Sequence, residues 1–105
     1  MPGGRKTVNL HTEARIELKD SVTFYRTRSG DILADRFKRE VAQVFEAIRN
    51  DPGRFPREPD VPGVLKCRLI HFPFSVLYLN EPRRIWVVAI AHSKRRPGYW
   101  QQRVD

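Results

Sequence analysis

The spacing of apolar residues in the first part of the chain predicts a short strand and an amphipathic helix. Residues 7–11 alternate polar and apolar side chains, which is typical of a half-buried strand. Thr12 is a suitable N-cap for a helix that follows. Apolar residues then recur every three or four positions and form one stripe, Ala14, Leu18, Val22 and Tyr25.

A second and stronger apolar stripe follows Ser29-Gly30, where the first pattern is interrupted. Asp31 is the predicted N-cap of this second helix, and Asn50-Asp51-Pro52-Gly53 ends it. Residues 52–63 contain four prolines and two glycines, which predicts an irregular surface loop that Phe55 pins to the body. The stripe consists of Leu33, Phe37, Val41, Val44, Phe45 and Ile48.

Three strand patterns occupy the rest of the apolar sequence. Residues 64–70 alternate in such a way that Lys66 and Arg68 share one face of a sheet. Residues 74–79 carry apolar side chains on both faces, and residues 85–91 lack polar alternation altogether. The last strand should therefore lie inside the sheet, with a neighbour on each edge.

The order of elements predicts an α+β fold with two layers, β-α-α-β-β-β, in which a helix hairpin packs on one face of a mainly antiparallel sheet. Residues 1–6 are predicted to be a flexible arm and residues 7–105 a single domain. The face of the sheet away from the helices, or its rim, is then free for Lys66, Arg68 and the residues after Ala91. We expect an exposed, concave and basic sheet surface there.

Charge strengthens this expectation. Lys and Arg number 20 against 12 acidic residues, so the formal charge of +8 favours an anionic partner such as nucleic acid, an acidic protein or an anionic membrane surface. Residues 83–104 contain no acid. The last strand leads directly into His92 and a cationic cluster, so its end is the place to look for function. The cations of this stretch are Arg83, Arg84, Lys94, Arg95, Arg96 and Arg103.

The cellular compartment follows from what the chain lacks. A single cysteine, Cys67, cannot form an internal disulfide, and its place in the alternation favours a small core residue in a reducing compartment. No apolar run resembles a signal peptide or approaches the ~20 residues that span a bilayer. The sequence therefore predicts a cytoplasmic protein without a membrane partner. The histidines, His11, His71 and His92, have no Cys or acidic partner at ligand spacing, so we predict neither a metal site nor a cofactor.

Taken in order, these residues resemble the RelE/ParE superfamily of bacterial toxins from type II toxin-antitoxin modules, often called plasmid stabilisation proteins. The resemblance runs from about Val8 to Val104. It implies the two-layer fold and a growth-inhibiting protein held in a hetero-oligomer by a cognate antitoxin. A disordered acidic antitoxin segment would be attracted by the +8 charge. The pieces that carry the resemblance are Glu13-Ala14, Phe37 to Ile48, Asp51-Pro52, Phe55-Pro56, Arg68-Leu69, Phe72-Pro73-Phe74, Val76, Tyr78, His92, Arg95, Pro97, Tyr99-Trp100 and Arg103.

The superfamily contains ribosome-dependent mRNA endonucleases resembling RelE and gyrase inhibitors resembling ParE, and the fold alone does not choose between them. RNA cleavage without a metal needs a base, an acid and cations around the phosphate. Lys66 and Arg68 match two lysines of the RelE-like nucleases. However, Ser75 and Lys94 stand where those enzymes have arginines, and Trp100 stands where they have a tyrosine. This incomplete set favours a ParE-like toxin that binds an essential target, DNA gyrase; a metal-independent mRNA endonuclease and an inert relative that has lost toxicity are the alternatives.

Both active alternatives use overlapping residues. If the protein is a nuclease, the catalytic candidates are Lys66, Arg68, His92, Arg95 and Tyr99. Contacts to a target or to nucleic acid are predicted for Lys66, Arg68, Lys94, Arg95, Arg96, Tyr99 and Arg103.

Several of the residues near the end of the chain also have structural interpretations. His92 could hydrogen-bond across the sheet and order the last turn. Trp100 is predicted to fold back as a lid on the junction of sheet and helices, with Tyr99 nearer the surface. Trp86 is predicted to be a core residue, and Arg83-Arg84 a solvated turn.

Overall fold

The structure, a computed structural model that describes residues 6–104, contains two helices on one face of a four-stranded sheet. The predicted order β-α-α-β-β-β and the two-layer α+β architecture are confirmed. The predicted N-terminal arm lies outside the described residues except for Lys6, whose carbonyl accepts a hydrogen bond from the Arg49 side chain at 2.9 Å. The elements are β1 (Thr7–Leu10), α1 (Thr12–Ser29), α2 (Asp31–Asn50), β2 (Val64–Arg68), β3 (Phe74–Asn80), β4 (Arg84–His92) and a short 3-10 helix (Gln101–Arg103).

The strands lie in the order β1-β4-β3-β2. β1 runs parallel to β4, and the two remaining pairs are antiparallel. As predicted from its continuous apolar sequence, β4 has a neighbour on each edge. β1 is much shorter than β4, and the pairing of the two strands ends where Leu10 lies opposite Val87.

The caps of the helices differ from the sequence prediction by one residue at each start. His11, rather than Thr12, caps α1, because its Nδ1 accepts a hydrogen bond from the backbone N–H of Glu13 at 3.0 Å. Gly30, rather than Asp31, occupies the N-cap of α2 and has φ 89° and ψ 179°. Glycine adopts this backbone conformation without strain, which allows the two helices to be joined by a single residue.

The main core lies between the helices and the sheet. Except for Leu33, the residues of both predicted helical stripes face it, and Phe37 is fully buried among the rings of Tyr25, Phe72 and Phe74 at centroid distances of 5.1 to 5.2 Å. Tyr78 is also fully buried, and its hydroxyl donates to the carbonyl of Pro52 at the start of the long loop. The core therefore fixes both the helix pair and the position where the loop begins.

The other face of the sheet is not the exposed basic surface that the sequence predicts. It carries a second apolar cluster built from Val64, Leu77, Val88, Ala89 and Trp100. Val88 and Ala89 both contribute to this cluster because β4 has a register irregularity opposite Leu77 and Tyr78. Trp100 is 3% exposed, so its predicted burial is correct, but it covers this face rather than the junction of sheet and helices.

The proline-rich loop runs along the free edge of β2. Arg57 forms an isolated antiparallel bridge with Leu65. On either side of it, the N–H of Glu58 donates to the carbonyl of Val64 and the N–H of Lys66 donates to the carbonyl of Pro56, both at 2.8 Å. Covering an edge strand in this way protects it from pairing with other chains. The strand itself ends at Arg68, two residues before the predicted end; Leu69 is still buried in the main core, whereas Ile70 is 86% exposed.

Two further predictions about the β3–β4 region are wrong, those for Trp86 and for Arg84, whereas Arg83 is exposed in the turn as predicted. Trp86 is half-buried rather than a core residue, and the Arg84 guanidinium lies 3.9 Å from the centre of its indole ring. Arg84 is the first residue of β4 and forms an ion pair with Glu81 at 2.7 Å, so it is not part of a solvated turn. A cation above an indole face is a favourable contact, which explains why the ring need not enter the core.

The single-residue connection between the helices makes a testable prediction. No atom lies within 4 Å of a Cβ built on Gly30, so Gly30→Ala should cost only the backbone strain of its positive φ, about 1–3 kcal/mol of unfolding free energy. Chemical denaturation would measure this loss. Gly53→Ala is the matched control, because a Cβ there also meets nothing within 4 Å; an equal loss in both variants would contradict the explanation.

Candidate functional site

A shallow cavity of about 130 Å³ lies at the end of β4, where the chain turns back over the sheet. We call it the C-terminal cavity. It brings together five of the residues that the sequence singles out, Lys66, His92, Arg95, Arg96 and Tyr99. Its remaining lining comes from Glu58, Ser75, Leu77, Ala91, Ser93, Pro97, Gly98 and Trp100.

Cations dominate the rim of this cavity. Arg95 and Arg96 are exposed, and the Arg95 guanidinium lies 3.8 Å from the centre of the Tyr99 ring. The Nζ of Lys66 is 3.9 Å from the carboxylate of Glu58, so part of its charge is already balanced. The stacked arginine presents its donors in a fixed orientation, which suits recognition of carboxylates or phosphates.

One carboxylate from α1, that of Glu17, holds the chain after β4 in place. It accepts hydrogen bonds from the Tyr99 hydroxyl at 2.7 Å and from the backbone N–H of Ile90 at 2.9 Å, and it forms an ion pair with Arg103 at 3.0 Å. Arg103 also donates to the carbonyl of Val88 at 3.0 Å. The side chains of Glu17 and Arg103 are only 15% and 10% exposed, so this is a largely desolvated network.

The network replaces strand pairing that β1 is too short to supply. The carbonyl of Val87 accepts a hydrogen bond from the N–H of His11, and the residues of β4 after Val87 have no partner in β1. Ile90 and Val88 are almost completely buried there, and buried backbone groups require hydrogen-bond partners. The carboxylate of Glu17 accepts a hydrogen bond from the N–H of Ile90, and the guanidinium of Arg103 donates one to the carbonyl of Val88. The same bonds therefore satisfy the buried backbone groups of β4 and hold the chain after β4 in place.

Tyr99 therefore has a structural role, since its hydroxyl donates to Glu17. Burial, the hydrogen bond to Glu17 and the charge of Glu17 raise the pKa of its phenol well above the usual value, while Arg103 and Arg95 oppose this shift. A phenol with a raised pKa that already donates its proton to a carboxylate is poorly suited to act as a general base at neutral pH.

His92 is turned toward the helices. Its ring packs edge-on against Phe74, a residue of the helix-side core, at a centroid distance of 4.9 Å. Its Nδ1 accepts a hydrogen bond from the backbone N–H of Lys94 at 3.0 Å, which orders the turn after β4 as predicted. The contact across the sheet is this ring packing, whereas the sequence interpretation expected a hydrogen bond.

Three predicted contact residues lie away from the cavity lining. Arg68 is exposed at the end of β2 and lines a separate groove beside α2. Lys94 is exposed in the turn, and Arg103 is committed to Glu17 and Val88. In residues 6–104, no three His, Cys, Asp or Glu side chains come together in a group that could hold a metal ion.

Comparison with known proteins places the fold in a family. A family model described as "ParE toxin of type II toxin-antitoxin system, parDE" matches residues 8–97, which is most of the chain. The chain belongs to the ParE toxin family. Among solved structures, it is similar to one described as "Chromosomal ParDE TA system from P. aeruginosa", with a TM-score of 0.75 and 18% identity over 86% of this chain and 98% of that chain. No curated protein matches the sequence.

The family match confirms the predicted resemblance and its ParE-like branch. It ends at Pro97, so Tyr99, Trp100 and Arg103 of this ParE-family chain lie beyond it. Along the described part of the chain, from residue 6 to residue 104, no helix has the length and apolarity to cross a membrane.

Sequence reasoning missed Glu17. It lies three residues after Ala14 and four before Ser21, beside the apolar stripe of α1, so its face could have been predicted from helical spacing. Its partners could not, because Tyr99 and Ile90 are 82 and 73 residues away along the sequence.

The Glu17 network predicts a clear loss of stability in the Glu17→Gln variant. The glutamine can still accept the N–H of Ile90, but it leaves Arg103 without its carboxylate partner in a desolvated position. We expect the free energy of unfolding to fall by about 2 kcal/mol. Asp35→Asn, which breaks the exposed pair with Arg26 at 3.3 Å, is the control and should cost less than about 1 kcal/mol. Equal losses in denaturant titrations would show that the network has no special role.

Alkaline titration tests the state of the phenols. Burial raises the pKa of Tyr78 as well as that of Tyr99 above the ordinary value of 10.0. Below pH 10 both phenols are protonated in the folded and unfolded chains, so their contribution to stability is complete; above pH 10 the unfolded chain ionises first and stability falls. Tyrosinate absorbance should therefore rise together with unfolding, and Tyr99→Phe should weaken the pH dependence. If both phenols ionise near pH 10 while the protein stays folded, this account is wrong.

Proposed function

We propose that this ParE-family chain is the toxin component of a type II toxin-antitoxin system, that it inhibits growth by binding DNA gyrase, and that a cognate antitoxin neutralises it. The rim of the C-terminal cavity, with Lys66, Arg95 and Arg96, is the proposed contact surface. The observation that carries the choice of binding over cleavage is the hydrogen bond from Tyr99 to Glu17.

That hydrogen bond supports binding because it removes a group that RNA cleavage would need. The raised pKa of Tyr99 and its donation to Glu17 make proton abstraction by the phenol unfavourable. His92, the other acid-base candidate, is packed on Phe74. What is left at the rim is a set of cations, Lys66, Arg95 and Arg96, which suffices for a binding inhibitor.

The rim is well suited to hold an anionic surface. Arg95 is fixed by stacking on Tyr99, and Tyr99 is fixed in turn by Glu17. A pre-oriented guanidinium loses less conformational entropy on binding than a freely rotating one. Glu17 therefore contributes to the proposed contact surface without belonging to it.

A second candidate function, mRNA cleavage on or off the ribosome, rests on a different observation. Lys66, His92, Arg95, Arg96 and Tyr99 all line one cavity, and cations around a phosphate are a requirement of metal-independent RNA cleavage. This candidate needs His92 or Tyr99 to leave its present hydrogen bond before it can move a proton.

Neutralisation by an antitoxin is supported by the family and by the similar P. aeruginosa structure, which is described as a ParDE TA system. The +8 charge would attract an acidic segment. A short acidic or DNA-binding reading frame overlapping the gene would support such a module.

The deciding experiment applies the purified protein to two reactions side by side. One is DNA supercoiling by gyrase, and the other is translation of a defined message on ribosomes with detection of message cleavage. The proposal expects inhibited supercoiling and an intact message. A cleaved message with normal supercoiling would contradict the proposal of gyrase binding and favour the nuclease.

The contact surface itself can be tested by charge reversal. Arg95→Glu with Arg96→Glu should reduce inhibition of supercoiling about tenfold or more, because close opposite charges at an interface become like charges. Arg83→Glu with Lys38→Glu makes the same change in net charge at two exposed positions outside the cavity lining; it is the control and should retain most of the inhibition. If the control loses as much as the double variant, overall charge rather than the rim carries the effect.

A further inference from the structure

The face of the sheet that Trp100 covers is open at its β1 end. The apolar cluster on this face takes its buried residues from β2, β3, β4 and Trp100 itself, and none of its described members comes from β1. In β1, Val8 and Leu10 pack against the helix-side core, so the alternation of a strand places Thr7 and Asn9 on the open face. Both of these side chains are exposed. β1 therefore presents a stretch of sheet surface without a cover.

Arg84 and Trp86 of β4 lie beside these two residues. The register pairs Thr7 with Arg84 and Asn9 with Trp86, and paired residues of neighbouring strands share a face. The Arg84 guanidinium is 3.9 Å from the centre of the indole ring, and the ring of His11 is 5.9 Å from it. We call these five residues the β1–β4 patch. The spacing of residues and strands in a sheet gives its strand part a size of roughly 7 Å by 5 Å.

The polar atoms that the patch offers are mainly hydrogen-bond donors. Arg84 uses its Nε for the pair with Glu81, which leaves its two Nη groups as donors. The Nδ1 of His11 accepts the hydrogen bond that caps α1, so the proton of the neutral imidazole is on Nε2. The Oδ1 of Asn9 accepts from the Thr7 hydroxyl at 3.3 Å, and its amide NH₂ remains. An aromatic ring among donors fits a ligand that combines a flat ring with anionic or carbonyl oxygens.

The charge at this end of the sheet also favours an anion. Three cations lie here, since Lys6 and Arg83 directly precede the paired strands and Arg84 belongs to the patch. Of the two acids beside them, Glu81 is paired with Arg84 at 2.7 Å and Glu13 stands in the first turn of α1. The formal charge of +8 on the whole chain adds a long-range attraction for anions.

We propose that the β1–β4 patch binds single-stranded nucleic acid, with an unpaired base against the Arg84–Trp86 pair and phosphate or base oxygens on the surrounding donors. Unpaired bases stack on aromatic side chains and on guanidinium planes, and every base offers such a face. The patch shares no residue with the lining of the C-terminal cavity. The inference therefore goes beyond the proposed function and does not depend on it.

Other ligands match the patch less well. Duplex DNA keeps its bases stacked inside the helix, so it offers only its backbone and groove edges to the Arg84–Trp86 pair. An acidic peptide would use the donors but leave this pair without a flat partner. A neutral sugar needs acceptors as well as donors, whereas the Nδ1 of His11 and the Oδ1 of Asn9 already accept hydrogen bonds.

The test measures binding of a labelled oligothymidylate of about 10 nucleotides to the full chain by fluorescence anisotropy. Oligouridylate of the same length shows whether the source is DNA or RNA. A chain of abasic deoxyribose phosphates of that length keeps the charge but lacks the bases, and it should bind about tenfold more weakly. An unlabelled DNA duplex serves as a competitor and should displace the oligothymidylate poorly.

Variants then locate the site. Arg84→Ala and Trp86→Ala should each weaken binding about tenfold, because the stacking pair is lost. Asn9→Asp places a carboxylate in the patch at an exposed position and should also weaken binding, which keeps the test informative if Trp86→Ala does not fold. Lys38→Ala and Arg95→Ala make the same charge change as Arg84→Ala at exposed positions outside the patch and should change binding about twofold or less. Circular dichroism checks the fold of each variant.

Selective loss in the patch variants supports the proposal. Equal binding of the abasic chain, or an equal loss in Lys38→Ala, would overturn it in favour of attraction by net charge. A greater loss in Arg95→Ala than in Arg84→Ala would assign the nucleic acid to the C-terminal cavity instead. Failure of the wild-type chain to bind either oligonucleotide would remove the site, while inhibition of supercoiling by that same chain would leave the proposed function intact.

Discussion

The apolar strand β4 imposes the constraint on which the rest of the structure depends. It lies between β1 and β3 and carries large apolar side chains on both faces, so both faces of the sheet must be covered. The helix hairpin covers one face, and Trp100 with the chain around it covers the other. The edge of β4 must also be satisfied where β1 stops, which Glu17 and Arg103 achieve. The position of the basic rim follows from these requirements, because the chain that carries it is the chain that covers the sheet.

Much of this fold could be predicted from the sequence, because apolar periodicity determines which face of an element is buried. The central place of β4 followed from its lack of polar alternation, and the helical stripes followed from their spacing. Alternation was less informative about Lys66 and Arg68. It predicts that they share one face, but β2 ends at Arg68, and the Arg68 side chain lines the groove beside α2 whereas Lys66 lines the C-terminal cavity.

The candidate site was only partly predictable for a related reason. Lys66, His92, Arg95, Arg96 and Tyr99 do meet, but their roles depend on partners that local sequence does not show. Trp100 could be predicted to be buried, whereas the face it covers depends on the turn around Gly98, which has φ 76°. The partners of a polar residue such as Glu17 are visible only once the chain has folded, since spacing carries no information about contacts over such distances.

The Glu17 network also bears on how the molecule reaches its native state. It joins the first helix to residues up to 82 positions later, and the parallel pairing of β1 with β4 likewise connects the two ends of the chain. Contacts between distant segments slow folding, since the entropy of closing a long loop is lost before the contact is gained. The helix hairpin and the β2–β3–β4 meander can form from neighbouring segments. We therefore expect the cover over the second face, and with it the orientation of the basic rim, to form late in folding.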